Sequence, residues 1–179
     1  MKSIFYLLMS ISLFAARPAL ALPSDEMFEA LKDAPTAAHA KSLEEDILDA
    51  MLESGSPTAD LVMERALLAE QAGQSELARE LLDRVVHIKP DFSEAWLYRA
   101  LHFLSDDKLS QALLDVNEAL TAEPRNFRAW LTLGRIFVGL DQNKEALEAY
   151  REALRVYPLY APALSEVRRL RPLVEGRAI

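Results

Sequence analysis

The residues in this chain able to do chemistry are few, and their spacing does not bring them together. His39, His87 and His102 stand in three separate segments, without metal-ligand spacing and with no His-Glu-x2-His run. Glu44-Glu45-Asp46 places three carboxylates side by side in sequence. Consecutive helix residues point about 100° apart, so these three diverge instead of converging on a cation. No Gly-x-Ser-x-Gly elbow, Ser-x-x-Lys pair or glycine-rich phosphate loop occurs. The chain also lacks cysteine, which removes disulfides, thiolate metal sites and the cysteine that anchors a lipoprotein. The expectation is no catalytic residue, no cofactor and no metal; the chain is read as a non-enzyme.

Composition narrows the remaining classes. Half of the 179 residues are apolar and the formal net charge is −8. A sizeable core is available, and the length suits one domain. The acidic balance argues against nucleic acid, whose phosphates need clustered Lys and Arg.

The elements that organise the chain are legible between Phe127 and Tyr160. Trp130, Leu133, Gly134 and Phe137 are followed by Ala146, Tyr150, Ala153 and Pro158. Small residues stand where two helix backbones approach, large ones where the gap must be filled, and a proline where the second helix ends. Thirty-four residues earlier the same frame carries Trp96, Ala100, Phe103, Ala112, Ala119 and Pro124. One period before that come Val62, Ala66, Ala69, Ala78, Val85 and Pro90. The spacing defines three tandem units, 59–92, 93–126 and 127–160. Short turns at 71–74, 105–108 and 139–142 force the two helices of each unit antiparallel. Trp96, Trp130, Phe103, Phe137 and Tyr150 are expected in the core.

This pattern resembles the tetratricopeptide repeat (TPR), a 34-residue helix pair. The resemblance implies an all-α solenoid of three antiparallel helix pairs, here with an N-terminal helical lead-in and a C-terminal capping helix. It also implies a concave binding face lined by the first helix of each repeat, at positions 2, 5, 9 and 12. Position 5 is Met63, Leu97 and Leu131; position 9 is Leu67, Leu101 and Arg135; position 12 is Glu70, Leu104 and Val138. Position 2 is Asp60, Glu94 and Arg128. The expected groove therefore has an apolar floor, an acidic rim, and a basic end at Arg128 and Arg135. Some TPR domains grip a peptide's terminal carboxylates with paired Lys and Asn on these helices. Met63 and Leu67 replace the first such pair and Tyr98 replaces an Asn, so an amphipathic helix or extended apolar segment suits this floor better.

The flanks complete the organisation. Residues 1–21 read as a signal peptide, with Lys2, the apolar run Ile4 to Phe14, Pro18, and Ala19-Leu20-Ala21 as cleavage site. Its run is short for a membrane span, which takes about 17–25 apolar residues. Export to the periplasm with cleavage after Ala21 is expected, with no membrane insertion of the mature chain. The layout resembles short periplasmic TPR proteins of Gram-negative bacteria, which implies a place in envelope maintenance. Residues 22–56 form an acidic lead-in, nine Asp and Glu against two Lys between Asp25 and Glu53. It reads as a degenerate hairpin, capping the stack or folding over it, with Leu43, Ile47, Ala50 and Met51 along one stripe. A capping helix at 161–171 and a loose tail at 172–179 end the chain. The partner is then another protein or peptide in the envelope. Alternatives are a homo-oligomer, a groove filled by residues 24–53 or a second copy, and a subunit of an envelope enzyme.

Overall fold

The computed structural model describes residues 23–176. The signal peptide expected at 1–21 and the last three residues lie outside them. Nine helices and no strand occur among the described residues: α1 (Asp25–Lys32), α2 (Ala37–Met51), α3 (Pro57–Gln71), α4 (Ser75–Ile88), α5 (Ser93–Ser105), α6 (Leu109–Ala122), α7 (Phe127–Gly139), α8 (Asn143–Val156) and α9 (Ala161–Val174). None is long and apolar enough to cross a membrane.

Side-chain oxygens set several of the starts. Ser24, Thr36, Ser56 and Asn126 each accept from the backbone N–H three residues on, satisfying a donor that the first turn leaves unpaired. Ser56, not the nearby Asp60, holds this place in front of Pro57. Asp60 instead accepts from the Ser54 N–H at 2.8 Å and the Ser54 hydroxyl at 2.5 Å, which pins the connection from the lead-in.

The first helix of each repeat ends in one shared way. Gly73, Asp107 and Asp141, one period apart, all adopt the left-handed conformation, with φ of 70°, 58° and 59°. The next N–H reaches back five residues: Gln74 to Ala69, Lys108 to Phe103, Gln142 to Phe137. That bond consumes a carbonyl the helix end leaves free, and an aspartate tolerates the turn nearly as glycine does.

α3 with α4, α5 with α6 and α7 with α8 form the three pairs, consecutive pairs stack, and α9 packs on α8. Between the helices of a pair, sizes are matched: Ala66 with Leu82, Ala100 with Val116, Gly134 with Tyr150, every one buried. A Cβ on Gly134 would stand 2.3 Å from the Tyr150 ring, so only glycine admits that tyrosine. Of the large residues expected in the core, Tyr150 alone is fully buried; Trp96, Phe103, Trp130 and Phe137 are half-buried. The tryptophans sit at an edge because their Nε1–H groups donate to the carbonyls of Pro90 (2.7 Å) and Pro124 (2.8 Å), stapling each pair to the preceding turn.

One boundary differs from expectation. α9 continues to Val174 through Pro172, past the end expected at 171. Val174 joins the core cluster and Glu175 pairs with Arg151, and these contacts offset the backbone bond that Pro172 cannot donate. The lead-in hairpin folds over the third repeat, one of the two placements expected for it, and covers Leu131 of the expected groove. Phe28, Leu31, Ala40, Ile47 and Met51 share one apolar cluster with Phe127, Leu131, Tyr157 and Tyr160. Arg125 lies 4.2 Å over the Phe28 ring and bonds Asp25 at 2.5 Å, and the Tyr157 hydroxyl donates to Glu44 at 3.4 Å. α1 and α2 thus close the edge where α7 and α9 begin, and Leu61 and Leu68 of α3 stay 51% and 56% exposed.

Candidate protein-binding face

The inner helices of the stack, α3, α5 and α7, carry every side chain assigned to the groove, but burial divides these into two sets. Met63, Leu97 and Leu131 are 2%, 0% and 5% exposed. Leu97 is enclosed with Ala119 and Ala129, and Leu131 belongs to the cluster shared with the lead-in. These three are core, not floor. One or two turns further along each helix, Leu67, Leu101, Leu104 and Val138 are half-buried and Arg135 is exposed. What stays partly accessible of the assigned set is this upper strip, bordered by Glu70, which meets the His102 ring at 2.9 Å; Val138 in it also packs against the cluster shared with the lead-in.

Arg128 does not form a free basic end. Its guanidinium donates to Glu94 at 2.8 Å and lies 5.2 Å from the Tyr98 ring centroid. Glu94 is 1% exposed and also accepts from the Asn126 amide, which in turn donates to the Ser93 hydroxyl, both at 2.9 Å. Ser93 passes the chain on to the Ala119 carbonyl. Burial pushes the Glu94 carboxyl above the usual range, against the opposing pull of Arg128 and Asn126. This network joins α5, α6 and α7 and fixes their register; it is structural chemistry. Around it, Phe127, Tyr157 and Tyr160 meet with ring centroids 5.0–5.4 Å apart.

A second polar station escaped the sequence reading. Arg99 holds both carboxylate oxygens of Asp115 at 2.7 Å and Asp83 at 3.0 Å, so one side chain ties α4, α5 and α6. Its guanidinium lies 4.8 Å from the Trp96 ring centroid and 5.9 Å from that of Phe103. The signal was present: Arg99 and Asp115 fall exactly one period before Leu133 and Ala149, an opposite-charge pair in phase with an apolar one.

Similarity to known proteins agrees with this geometry. The sequence model of the Tetratricopeptide repeat family matches residues 63–126 and 100–161, more than half of the chain. The chain belongs to the tetratricopeptide repeat family. A TPR repeat-containing protein of Rhizobium etli is 29% identical over 153 residues, covering 85% of this chain and 74% of the relative. Among solved structures, the first TPR of Spaghetti (RPAP3) bound to an HSP90 peptide has TM-score 0.62 at 20% identity, over 65% of this chain and 93% of that one. MamA has TM-score 0.62 at 16% identity, over 79% and 86% respectively. At these identities both structures speak for the fold alone.

TPR solenoids are generally interaction scaffolds without catalysis, and this chain has that architecture. His39, His87 and His102 occupy α2, α4 and α5; His87 is engaged with the Asp83 carbonyl and His102 with Glu70. Glu44, Glu45 and Asp46 follow one another along α2, and no group of three potential ligands gathers among the described residues.

Proposed function

We propose that this TPR chain is an exported scaffold of the cell envelope that holds a segment of a partner protein on the upper strip of its inner face. The observation that carries the reading is the row of Leu67, Leu101, Leu104 and Val138, half-buried on successive inner helices beside exposed Arg135. A row of this kind matches the spaced apolar anchors of an amphipathic helix. No paired Lys and Asn stand there to grip a terminal carboxylate. Export rests on the leader-like residues 1–21, and the envelope role on the layout resemblance.

The test is capture from a periplasmic fraction with the tagged full chain beside Leu101→Glu/Leu104→Glu. These residues are partly buried, so circular dichroism and a melting curve first establish that the variant is folded. A partner held by the wild type and lost by the variant supports the strip. A partner held equally by both removes it. Fractionation and the mass of the mature N-terminus test export separately, cleavage after Ala21 being the expected result. A homo-oligomer is the second reading, favoured by the uncovered Leu61 and Leu68 of α3. Solution mass that rises with concentration and falls in Leu61→Glu/Leu68→Glu would select it.

A further inference from the structure

A cleft of 350 Å³ opens between α7 and α8, lined by Trp130, Leu133, Phe137 and Ala149 with Glu145, Glu148, Glu152 and Lys144 at its rim. It faces away from the inner strip, because Leu133 and Phe137 lie on the side of α7 opposite Leu131, Arg135 and Val138. The same place in the preceding repeat is occupied. There Trp96 and Phe103 stand where Trp130 and Phe137 stand, and the space between them holds the Arg99 guanidinium, anchored by Asp115 and Asp83. One period on, Arg99 becomes Leu133, Asp115 becomes Ala149 and Asp83 becomes Asn117. The charge and both internal counter-charges are gone; Leu133, 6% exposed, packs between the aromatic walls and makes the floor of the cleft apolar.

We infer that the α7–α8 cleft is a docking site for an arginine side chain of a partner protein, which would lie over Leu133 against the Trp130 ring, as Arg99 lies against Trp96 in the preceding repeat. The charges favour an external cation. Carboxylates have moved from the floor to the rim, where Glu145, Glu148 and Glu152 follow one another along the exposed side of α8. Glu148 and Glu152 are engaged by Arg151 and Arg155 in exposed pairs three residues apart, contacts that are weak and readily exchanged. Glu145 makes no ion pair among the described residues. The Trp130 ring is held by its bond to the Pro124 carbonyl, so its face is preset for a planar guanidinium. Arginine fits better than lysine here, since it stacks on aromatic faces while reaching carboxylates at its edge. The site uses a different surface from the inner strip, and it stands whether or not that strip binds a partner.

The test titrates N-acetyl-L-arginine amide into the full chain and follows the two indole N–H resonances, with the neutral N-acetyl-citrulline amide as control. The Trp130 resonance should move and saturate in the millimolar range while that of Trp96, already covered by Arg99, stays still. Glu145→Gln/Glu148→Gln changes exposed residues only and should weaken the response by about tenfold, the loss of a charge-assisted contact. Leu133→Arg/Ala149→Asp supplies the internal occupant and should abolish it with both resonances remaining dispersed. A still Trp130 resonance, equal movement of Trp96, or an equal response to the citrulline amide would each overturn the assignment.

Discussion

In α5 and α6 the gap between the helices is closed by charge. Arg99 lies between Trp96 and Phe103 and reaches Asp115 and Asp83, while behind it Ala100 meets Val116. In α7 and α8 the closure is apolar and larger: Leu133 and Ala149 replace the ion pair, and Tyr150 presses its ring on Gly134. The two repeats keep one backbone frame because the space is filled in each. What differs is reach. The charged version ties a third helix, α4, to the pair, and so fixes how repeat one sits on repeat two. The apolar version gains burial and leaves a cleft beside Trp130. A solenoid thus tolerates either solution at one station, with register bought by the first and stability by the second.

The widest gap between the two should appear on truncation. Tyr150→Ala is expected to lose about 3–5 kcal/mol, as for a fully buried large side chain, while Val116→Ala should lose about 2 kcal/mol. Urea denaturation of both variants checks the order, and equal losses would break the claim that repeat three rests on its tyrosine. Next in size is Asp115→Ala. Arg99 keeps Asp83 but loses its bidentate partner in a part-buried setting, so about 3 kcal/mol should go, the lower end for breaking such a pair. A loss below about 0.5 kcal/mol would place this contact with ordinary surface pairs.

Gly134→Ala comes third. Alanine would gain about 1 kcal/mol in helix propensity, but its methyl would sit 2.3 Å from the Tyr150 ring. Tyr150 is 1% exposed and has nowhere to go, so the net result should be a loss of about 1–3 kcal/mol from overpacking. Gly134→Ala/Tyr150→Val recreates the Ala100 and Val116 pair. Its loss should be smaller than the sum of the single losses, the mark of two residues sharing one space. Strict additivity would show that the contact is not the reason for the glycine.

Helix order was legible because size alternates at a fixed period, and size is what helix packing selects. Gly134 and Tyr150 announce their contact through that rule alone. Arg99 and Asp115 did not, since charges on a helix are ordinarily solvated and a pair sixteen residues apart matters only once the hairpin brings them together. Met63, Leu97 and Leu131 were assigned to the groove from family position; their burial depends on the neighbouring helices, which no single position reveals. The stripe of Ile47 and Met51 predicts that α2 buries one face but says nothing of where. That place is set by Phe127, Tyr157 and Tyr160, about a hundred residues away in the chain.

The smallest expected effect sharpens the comparison most. Arg99→Leu/Asp115→Ala installs in repeat two the residues that repeat three carries at those positions. Desolvating a guanidinium and a carboxylate costs roughly what their attraction returns, so the exchange should leave stability within about 1 kcal/mol of wild type, or raise it. Asp83 loses a partner but is part-exposed, and Arg79 stands 3.7 Å away to pair with it. The consequence should appear instead in how repeat one is held. Among the described residues α3 packs mainly on α4, so its attachment depends on α4 and the contacts of α4 with α5. Amide hydrogen exchange in α3 and α4 should quicken in the double variant while α7 and α8 keep their protection. If protection in α3 and α4 is unchanged at unchanged global stability, Arg99 contributes no register, and the charged and apolar closures are interchangeable.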